Sequence, residues 1–345
     1  MNKDFQELHT AVLGMLPCPV SKNKIKISPL REGGNNRLYR VETPDGNYVL
    51  KSYFRHPGDI RNRLDVEFTF ASFAWRHGIH CIPEPLCRND SIFCALFGLV
   101  EGRPLSSGEV GMEEISQALN FFLDLNALRT HSEALTLANA SESCFTLHEH
   151  IQRIDERFDR FRAITTSDEL DRQCLEFVKS PLTAVWMQIR RRIENSADYS
   201  TDVPLEPTDR VISPSDFGFH NAINTESGLI FLDFEYAGWD DPAKVAGDFF
   251  SQVAVPVSTE FFAWVADAIS EATSEPEKML QRIRLLLPLY RIKWCCILLN
   301  DFLPIDGARR EFAQGRASER KKEQLEKAKN LLVFLEQLMI ATSRN

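Results

Sequence analysis

Three side chains with oxygen ligands lie close together between residues 211 and 236. Asp216 and Asn221 are five residues apart, and Asp233 follows twelve residues later, directly after the apolar run 229–232. Phosphoryl transfer needs a carboxylate that orients the attacking hydroxyl and accepts its proton, and it needs hard oxygen ligands for magnesium. Asp216 fits the first role, whereas the amide oxygen of Asn221 and the carboxylate of Asp233 fit the second. The spacing therefore predicts a magnesium-dependent phosphoryl-transfer site.

Regular elements must hold these side chains at one place. The apolar run 229–232 predicts a strand that fixes Asp233, and the turn 224–228 predicts a hairpin that folds it back towards Asn221. The first hundred residues are rich in short strands, with a hairpin turn at 44–47. They also predict a helix from about 60 to 77, and the pattern after Pro104 is mostly helical. A small sheet domain joined by a hinge to a helical domain suits an enzyme whose cleft closes on two substrates.

The block around these residues resembles the aminoglycoside phosphotransferase and choline kinase superfamily. Residues 214–221, PSDFGFHN, stand where that family has HGDxHxxN. Residues 232–242, LDFEYAGWDDP, closely match its IDFEYAGWGDP segment. The resemblance extends over roughly residues 25 to 250. Because the sequence has neither a Walker loop nor a GxGxxG motif, P-loop and Rossmann interpretations lack their basic element.

Upstream positions match the nucleotide-binding half of the same family. Lys51 matches the lysine that contacts the nucleotide phosphates, and Glu67 on the following helix matches its ion-pair partner. Gly34 and Asn35 stand where the family has its phosphate-covering loop, and residues 101–105 match the stretch just after the interlobe hinge. The resemblance therefore implies that Lys51, Glu67, Gly34 and Asn35 belong to an ATP site.

The resemblance implies an α+β fold of the two-lobed, protein-kinase-like type. Residues 1–101 would form a small antiparallel-sheet lobe that binds the nucleotide, and residues 102–345 a larger, mostly helical lobe for catalysis and substrate binding. The implied activity is an ATP- and magnesium-dependent transfer of the γ-phosphate to a hydroxyl of a small molecule. Asp216 would be catalytic, and Asn221 and Asp233 would hold the metal. A sugar or polyol, an amino alcohol and an aminoglycoside all stay open as acceptors, and ATP and GTP are not distinguished.

The catalytic loop departs from the family pattern just before Asp216. Pro214 replaces the usual histidine, and Ser215 replaces the usual glycine. We expect altered packing with the chemistry retained, because that histidine usually supports the loop more than it reacts. The alternative hypothesis is a pseudokinase that binds a nucleotide or another ligand without turnover. Pro214 favours this alternative, whereas the intact Asp216, Asn221 and Asp233 argue against it.

Three residues that follow Asp233 are candidate substrate contacts, namely Glu235, Trp239 and Asp240. Glu235 could contact an amine or hydroxyl of the substrate, or it could brace an arginine or lysine of the loop. Trp239 and Asp240 lie on the segment expected to face the substrate. The competing interpretation is a loop packed under Trp239, with Asp241 starting a helix.

Composition and charge limit the partners and the location. The 345 residues carry a formal net charge of −9, which argues against nucleic acid or an anionic membrane as a partner. The eight cysteines form no CxxC pair, so we expect reduced thiols. The N-terminus lacks the apolar stretch of a signal peptide, and no later window is apolar enough to span a bilayer. We therefore expect a cytoplasmic protein with a small-molecule substrate, whose oligomeric state the sequence leaves open.

Overall fold

The computed structural model describes residues 3–17, 24–30, 36–55, 61–200, 202–304 and 318–342. After helix α1 (Lys3–Leu13), the N-terminal part forms a five-stranded antiparallel sheet. Its strands are β1 (Lys26–Pro29), β2 (Arg37–Thr43), β3 (Gly46–Ser52), β4 (Pro85–Asn89) and β5 (Cys94–Gly98). They lie in the order β1-β2-β3-β5-β4 across the sheet. Helix α2 (Arg63–Arg76) lies between β3 and β4 in the chain and contacts both β4 and β5.

The hairpin between β2 and β3 confirms the predicted turn at 44–47. Thr43 pairs with Gly46, and the Thr43 hydroxyl donates a hydrogen bond of 3.0 Å to the Gly46 carbonyl oxygen. The turn sets the register that pairs Leu38 with Lys51, and β5 places Ala95 on the other side of Lys51. Because β3 is the middle strand of the sheet, Lys51 sits on a backbone that is hydrogen-bonded on both edges.

Helix α2 confirms the predicted helix and buries charged as well as apolar side chains. The Asn62 side chain caps its N-terminus by accepting a hydrogen bond of 3.3 Å from the Asp65 backbone N–H. Its C-terminal end is followed by Gly78 with φ of +86°, a conformation in which glycine is favoured. Glu67 and Ala71 lie four residues apart on the buried face. Glu67 is therefore carried into the interior by a mainly apolar helix face.

The C-terminal part is mainly helical and is organised around one long helix. The helices are α3 (Met112–Ala127), α4 (Leu147–Arg160), α5 (Glu169–Phe177), α6 (Thr183–Glu194), α7 (Pro242–Phe249), α8 (Phe262–Ser270), α9 (Pro276–Leu298) and α10 (Ser318–Thr342). The long helix α9 contacts α4, α6, α7, α8 and α10. The interruption predicted at 180–181 takes the form of a π turn, Val178–Leu182, because Pro181 has no N–H to donate.

The predicted strand-rich island inside the helical half is present as short strands. Strand β7 (Val211–Ser213) pairs with β10 (Gly238–Asp240), and β8 (Ala222–Thr225) forms a hairpin with β9 (Gly228–Phe231). Strand β6 (Arg103–Pro104) extends that hairpin. The predicted hairpin is thus confirmed, and the loop between β7 and β8 contains Asp216. Among the helices of the described residues, none combines the length and the apolar character required to cross a membrane.

Candidate active site

A cleft of about 550 Å³ opens between the N-terminal sheet and the β8–β9 hairpin. Its walls come from both parts of the chain, and apolar side chains predominate among them. The lining residues include Leu30, Leu38, Val49, Phe97, Leu99, Ala222, Ile223 and Leu232. The polar lining residues are Asn36, Lys51, Glu67, His220, Asn221 and Asp233. A mostly apolar cleft with a few convergent polar groups is typical of a small-molecule site.

Lys51 joins the two parts of the molecule electrostatically. Its Nζ lies 2.7 Å from Glu67 Oε2 and 2.5 Å from Asp233 Oδ1, so that strand β3, helix α2 and the segment after β9 meet at one ammonium group. Burial disfavours the charged form of Lys51. The carboxylates of Asp233, Glu67 and Glu235 outweigh burial and hold the pKa of Lys51 well above its ordinary value. Lys51 is therefore a buried, permanently charged cation.

Glu67 is held in place by further hydrogen bonds. The Tyr53 hydroxyl donates to Glu67 Oε2 over 2.8 Å, and the Phe234 backbone N–H donates to Glu67 Oε1 over 3.3 Å. Because both carboxylate oxygens have partners, Glu67 fixes the position of Lys51 and also ties helix α2 to the residue after Asp233.

Asp233 carries negative charge that Lys51 does not fully balance. Burial is the largest reason that the pKa of Asp233 is raised to about 7. Lys51 opposes this rise, whereas the nearby carboxylates of Glu235 and Glu67 add to it. The backbone of Asp233 has φ of +66°, a left-handed conformation that is uncommon for a residue with a side chain. A further cation beside Asp233 would relieve the repulsion among these carboxylates.

Asn221 links the catalytic loop to the Asp233 segment. Its Nδ2 donates to the Asp216 carbonyl oxygen over 3.0 Å, and its own carbonyl accepts from the Leu232 backbone N–H over 2.8 Å. The amide nitrogen of Asn221 is thereby used, which leaves its amide oxygen available as a ligand atom. Asn221 and Asp233 supply the hard oxygen donors that magnesium prefers, and magnesium is commonly bound by one or two protein ligands together with substrate phosphates.

Asp216 stands beside the cleft, next to the lining residues His220 and Asn221. His220 Nε2 lies 3.2 Å from Asp216 Oδ1, and the Asp216 side chain is 31% exposed. Burial opposes ionisation of Asp216. The charge and hydrogen bond of His220 are the largest opposing effects, and together with Asn221 and Lys293 they hold the pKa of Asp216 below its ordinary value. The Asp216–His220 pair thus keeps a carboxylate ionised at the edge of the cleft.

The candidate substrate contacts lie in the interior, where they have other partners. Glu235 has a fully buried side chain that accepts a hydrogen bond of 2.7 Å from Asn36 Nδ2 and pairs with Arg63. Asp240 is also fully buried, and its Oδ2 lies 2.5 Å from Lys244 Nζ. The bracing interpretation of Glu235 therefore matches its contacts. Neither side chain has exposed surface, which argues against Glu235 and Asp240 as substrate contacts.

Trp239 also has partners within the protein. Its indole N–H donates to the Ala134 carbonyl oxygen over 3.1 Å, and its backbone pairs with Ile212 of β7. Asp241 caps helix α7 by accepting a hydrogen bond of 2.7 Å from the Ala243 backbone N–H. The packed-loop interpretation thus matches the contacts of the segment 239–241, and a role of the partly buried Trp239 as a substrate contact stays a prediction.

The predicted phosphate-covering residues Gly34 and Asn35 lie outside the described residues. Their neighbour Asn36 is described, lines the cleft and is buried. Sequence reasoning missed Asn36 as the partner of Glu235, because the two residues are 199 positions apart. It also missed Lys244, which pairs with Asp240 across the junction between β10 and α7.

The chain is similar to known phosphotransferases. A family model described as the phosphotransferase enzyme family matches residues 26–273. A search of curated proteins found no match. A solved spectinomycin phosphotransferase, in complex with ADP and spectinomycin, aligns with a TM-score of 0.64 at 11% identity over 96% of this chain and 98% of its own.

Two further solved structures come from the choline and ethanolamine kinases. A choline/ethanolamine kinase family protein from Mesorhizobium loti has a TM-score of 0.56 at 16% identity, over 95% of this chain and 94% of its own. Choline kinase from Cryptosporidium parvum has a TM-score of 0.53 at 13% identity, over 95% and 96%. At these identities the structures establish the fold, and the predicted two-lobed, protein-kinase-like α+β class is confirmed. Because the family model extends over most of the sequence, the chain belongs to the phosphotransferase enzyme family.

Proposed function

We propose that this phosphotransferase moves the γ-phosphate of ATP, in the presence of magnesium, to a hydroxyl group of a small molecule. One observation carries the proposal. Lys51 and Glu67 from the N-terminal part and Asn221 and Asp233 from the later hairpin line a single cleft, with Asp216 beside them. This set contains a buried cation, hard oxygen donors and an ionised carboxylate, which are the groups that phosphoryl transfer requires.

The cleft suits a nucleotide because its lining has both apolar and polar side chains. The apolar ones, which include Val49, Phe97 and Leu232, would bury the base, and the polar ones would hold the phosphates. Lys51 would bind phosphate oxygens as a charge whose geometry is set beforehand by Glu67 and Asp233. Preorganised charge of this kind acts in catalysis without reorganisation at the moment of reaction.

Asp216 would act on the acceptor. An ionised carboxylate accepts a hydrogen bond from the acceptor hydroxyl, orients its oxygen towards the γ-phosphorus, and takes the proton as the new P–O bond forms. His220 would hold Asp216 in the orientation that this requires. Magnesium, bound by Asn221 and Asp233, would neutralise phosphate charge.

The acceptor classes to test are those that the sequence left open. The solved relatives include a spectinomycin phosphotransferase and a choline kinase, so an aminoglycoside-like drug and an amino alcohol join sugars and polyols as candidates. Glu235 and Asp240 are internally paired with Arg63 and Lys244 and contribute no free acidic charge to an acceptor pocket. Sugars and polyols should therefore be screened first as acceptors.

A coupled assay of ADP release tests the proposal. Wild-type protein is incubated with MgATP and a panel of sugars, polyols, amino alcohols and aminoglycosides, with Asp216→Ala as the blank. We expect acceptor-stimulated ADP release that requires magnesium and is absent from the blank. Nucleotide binding without turnover on any acceptor would contradict the proposal and favour the pseudokinase alternative.

A further inference from the structure

The residue before Asp216 adopts an unfavourable backbone conformation. Ser215 has φ of +67°, in the left-handed region where glycine is at ease and a residue with a Cβ is strained. It stands where the matching family motif has glycine. An unanchored serine at this position would tend to leave the left-handed region, and Asp216 would rotate with it.

Ser215 is anchored on both its backbone and its side chain. Its N–H donates to Ser213 Oγ over 2.9 Å, and its Oγ lies 3.2 Å from the ammonium group of Lys244. The residue is 7% exposed, so water competes little for these hydrogen bonds. The Lys244 contact reaches Ser215 from helix α7, 29 residues later in the chain.

Lys244 is itself rigidly placed. It is 2% exposed, and its Nζ lies 2.5 Å from Asp240 Oδ2 and 3.6 Å from Asp248 Oδ2. Asp240 belongs to β10, which pairs with β7, the strand that leads into the Ser215 loop. Lys244 therefore joins helix α7 and strand β10 to the backbone immediately before Asp216.

We propose that Lys244 is a positioning residue, which acts through Ser215 to hold the Asp216 carboxylate in its working orientation. The inference rests on the proposed function, because it assigns Lys244 a role in that reaction. It also explains how the loop accommodates a serine in place of glycine. Lys244 is too deeply buried and too closely paired to contact the substrate directly.

Two substitutions of Ser215 separate the effect of losing the Lys244 contact from the effect of backbone strain. Both Ser215→Ala and Ser215→Gly remove the hydroxyl that Lys244 contacts, but only glycine adopts a positive φ without strain. The assay uses MgATP with water as the acceptor, so it does not depend on the acceptor's identity. We expect kcat to fall at least about fivefold further in Ser215→Ala than in Ser215→Gly, with the KM for ATP unchanged, because a misplaced catalytic group mainly slows the chemical step. Equal losses in the two variants would overturn the inference.

A double-mutant cycle tests Lys244 itself. Lys244→Met should lower kcat about 10- to 100-fold in the wild-type background but less than about threefold in Ser215→Gly, since coupled residues are not additive. The matched control is Arg282→Met, which breaks another largely buried ion pair, with Asp241, at a residue that does not contact Ser215. The inference fails if Lys244→Met costs the same in both backgrounds or if Arg282→Met lowers kcat as much. If Lys244→Met does not fold, the comparison of Ser215→Ala with Ser215→Gly tests the inference.

Hydrogen exchange separates this inference from the proposed function. If wild-type protein releases no ADP from MgATP with any acceptor of the panel, the proposed function fails, and exchange of the backbone amides of 213 and 215–218 then tests the anchor alone. We expect those amides to exchange faster in Lys244→Met than in Arg282→Met. Equal exchange in the two variants would remove Lys244 as the anchor of the loop.

Discussion

At the scale of single residues, the site depends on charges that are buried in balanced groups. Lys51 keeps its charge because Glu67 and Asp233 surround it, and Asp233 tolerates burial because Lys51 contacts it. Removing either partner leaves a buried charge uncompensated, which is costly in a medium of low dielectric constant. The same arrangement that stabilises the site in the free protein would bind phosphate oxygens.

The substitution Lys51→Met tests this arrangement. We expect kcat/KM for ATP to fall by about 100-fold or more, because a preorganised cation at the phosphates is lost. Steady-state kinetics with the best acceptor measures the loss. Lys26→Met is the matched control, since Lys26 lies on the same sheet in an exposed pair with Glu42 and should change the rate little. A wild-type rate for Lys51→Met would contradict the phosphate-binding role.

The part of the site that the sequence predicted well is the proximity of residues joined by local turns. Asp216, Asn221 and Asp233 lie within one hairpin and its flanking loop, so their convergence follows from short-range turns. The burial of Glu235 and Asp240 could not be predicted in the same way. Glu235 is enclosed by Asn36 and Arg63, which come from a distant part of the chain, and only the packed fold brings them together.

At the scale of elements, the catalytic loop is held by the strand that precedes it. Asn126 of helix α3 hydrogen-bonds to both backbone groups of Ile212 in β7, accepting from its N–H over 2.8 Å and donating to its carbonyl over 3.0 Å. The same Nδ2 also donates to the Phe122 carbonyl over 2.9 Å. One buried amide thus attaches β7, and with it the loop that carries Asp216, to the helical part.

Replacing Asn126 by leucine should destabilise the protein. The N–H and C=O groups of Ile212 would stay buried without these partners, at a cost of about 1–3 kcal/mol for each unsatisfied group. Urea unfolding should therefore show a loss of about 2–4 kcal/mol in the free energy of unfolding. The control Gln152→Leu removes an exposed hydrogen bond within α4 and should change stability by less than about 0.5 kcal/mol. A loss for Asn126→Leu as small as the control's would show that β7 does not depend on this amide.

A buried histidine at the junction of α4, α7 and α9 should make stability depend on pH. His150 Nε2 lies 3.1 Å from Asp241 Oδ2, and the Tyr290 hydroxyl lies 2.8 Å from His150 Nδ1. Burial lowers the pKa of His150 below its ordinary 6.5, although Asp241 opposes the change. The folded protein therefore binds fewer protons than the unfolded chain between the lowered pKa and 6.5, and stability must fall as the pH drops through that window.

The substitution His150→Gln should flatten this dependence. Urea unfolding measured from pH 7.5 down to pH 5 should show a smaller loss of stability in the variant than in wild type, because glutamine does not titrate. His148→Gln, on the exposed face of the same helix, is the control and should leave the slope as it is. Equal slopes for wild type and His150→Gln would show that other groups dominate.

At the scale of the whole molecule, the described residues form two parts that meet at the cleft. Lys51 links to Asp233, Glu67 to Phe234, and Phe231 to the Cys81 carbonyl, so several interactions cross between the sheet side and the hairpin side. The sequence predicted this arrangement through its change from short strands to helices. The proposed limits of the lobes, 1–101 and 102–345, stay a prediction, and residue 101 falls between β5 and β6.

A ligand that contacts both parts should raise the stability of the whole protein. Mass action predicts a gain of about 2.7 kcal/mol when the ligand concentration is 100 times its Kd. We expect MgATP to raise the Tm by several degrees in a thermal shift assay, with a smaller rise for ATP in excess EDTA. Lys51→Met should reduce the shift with MgATP. An unchanged Tm at millimolar MgATP would contradict nucleotide binding in the cleft.

The most direct test of the account is the rate of γ-phosphate transfer by wild type and by Asp216→Asn under single-turnover conditions with saturating MgATP. Asparagine preserves the size of the side chain but cannot accept the acceptor's proton. We predict a rate at least about 100-fold lower in the variant, with the Kd for MgATP unchanged within about twofold. A folded Asp216→Asn protein that transfers phosphate at the wild-type rate would contradict the assignment of Asp216, and with it the proposed catalytic site.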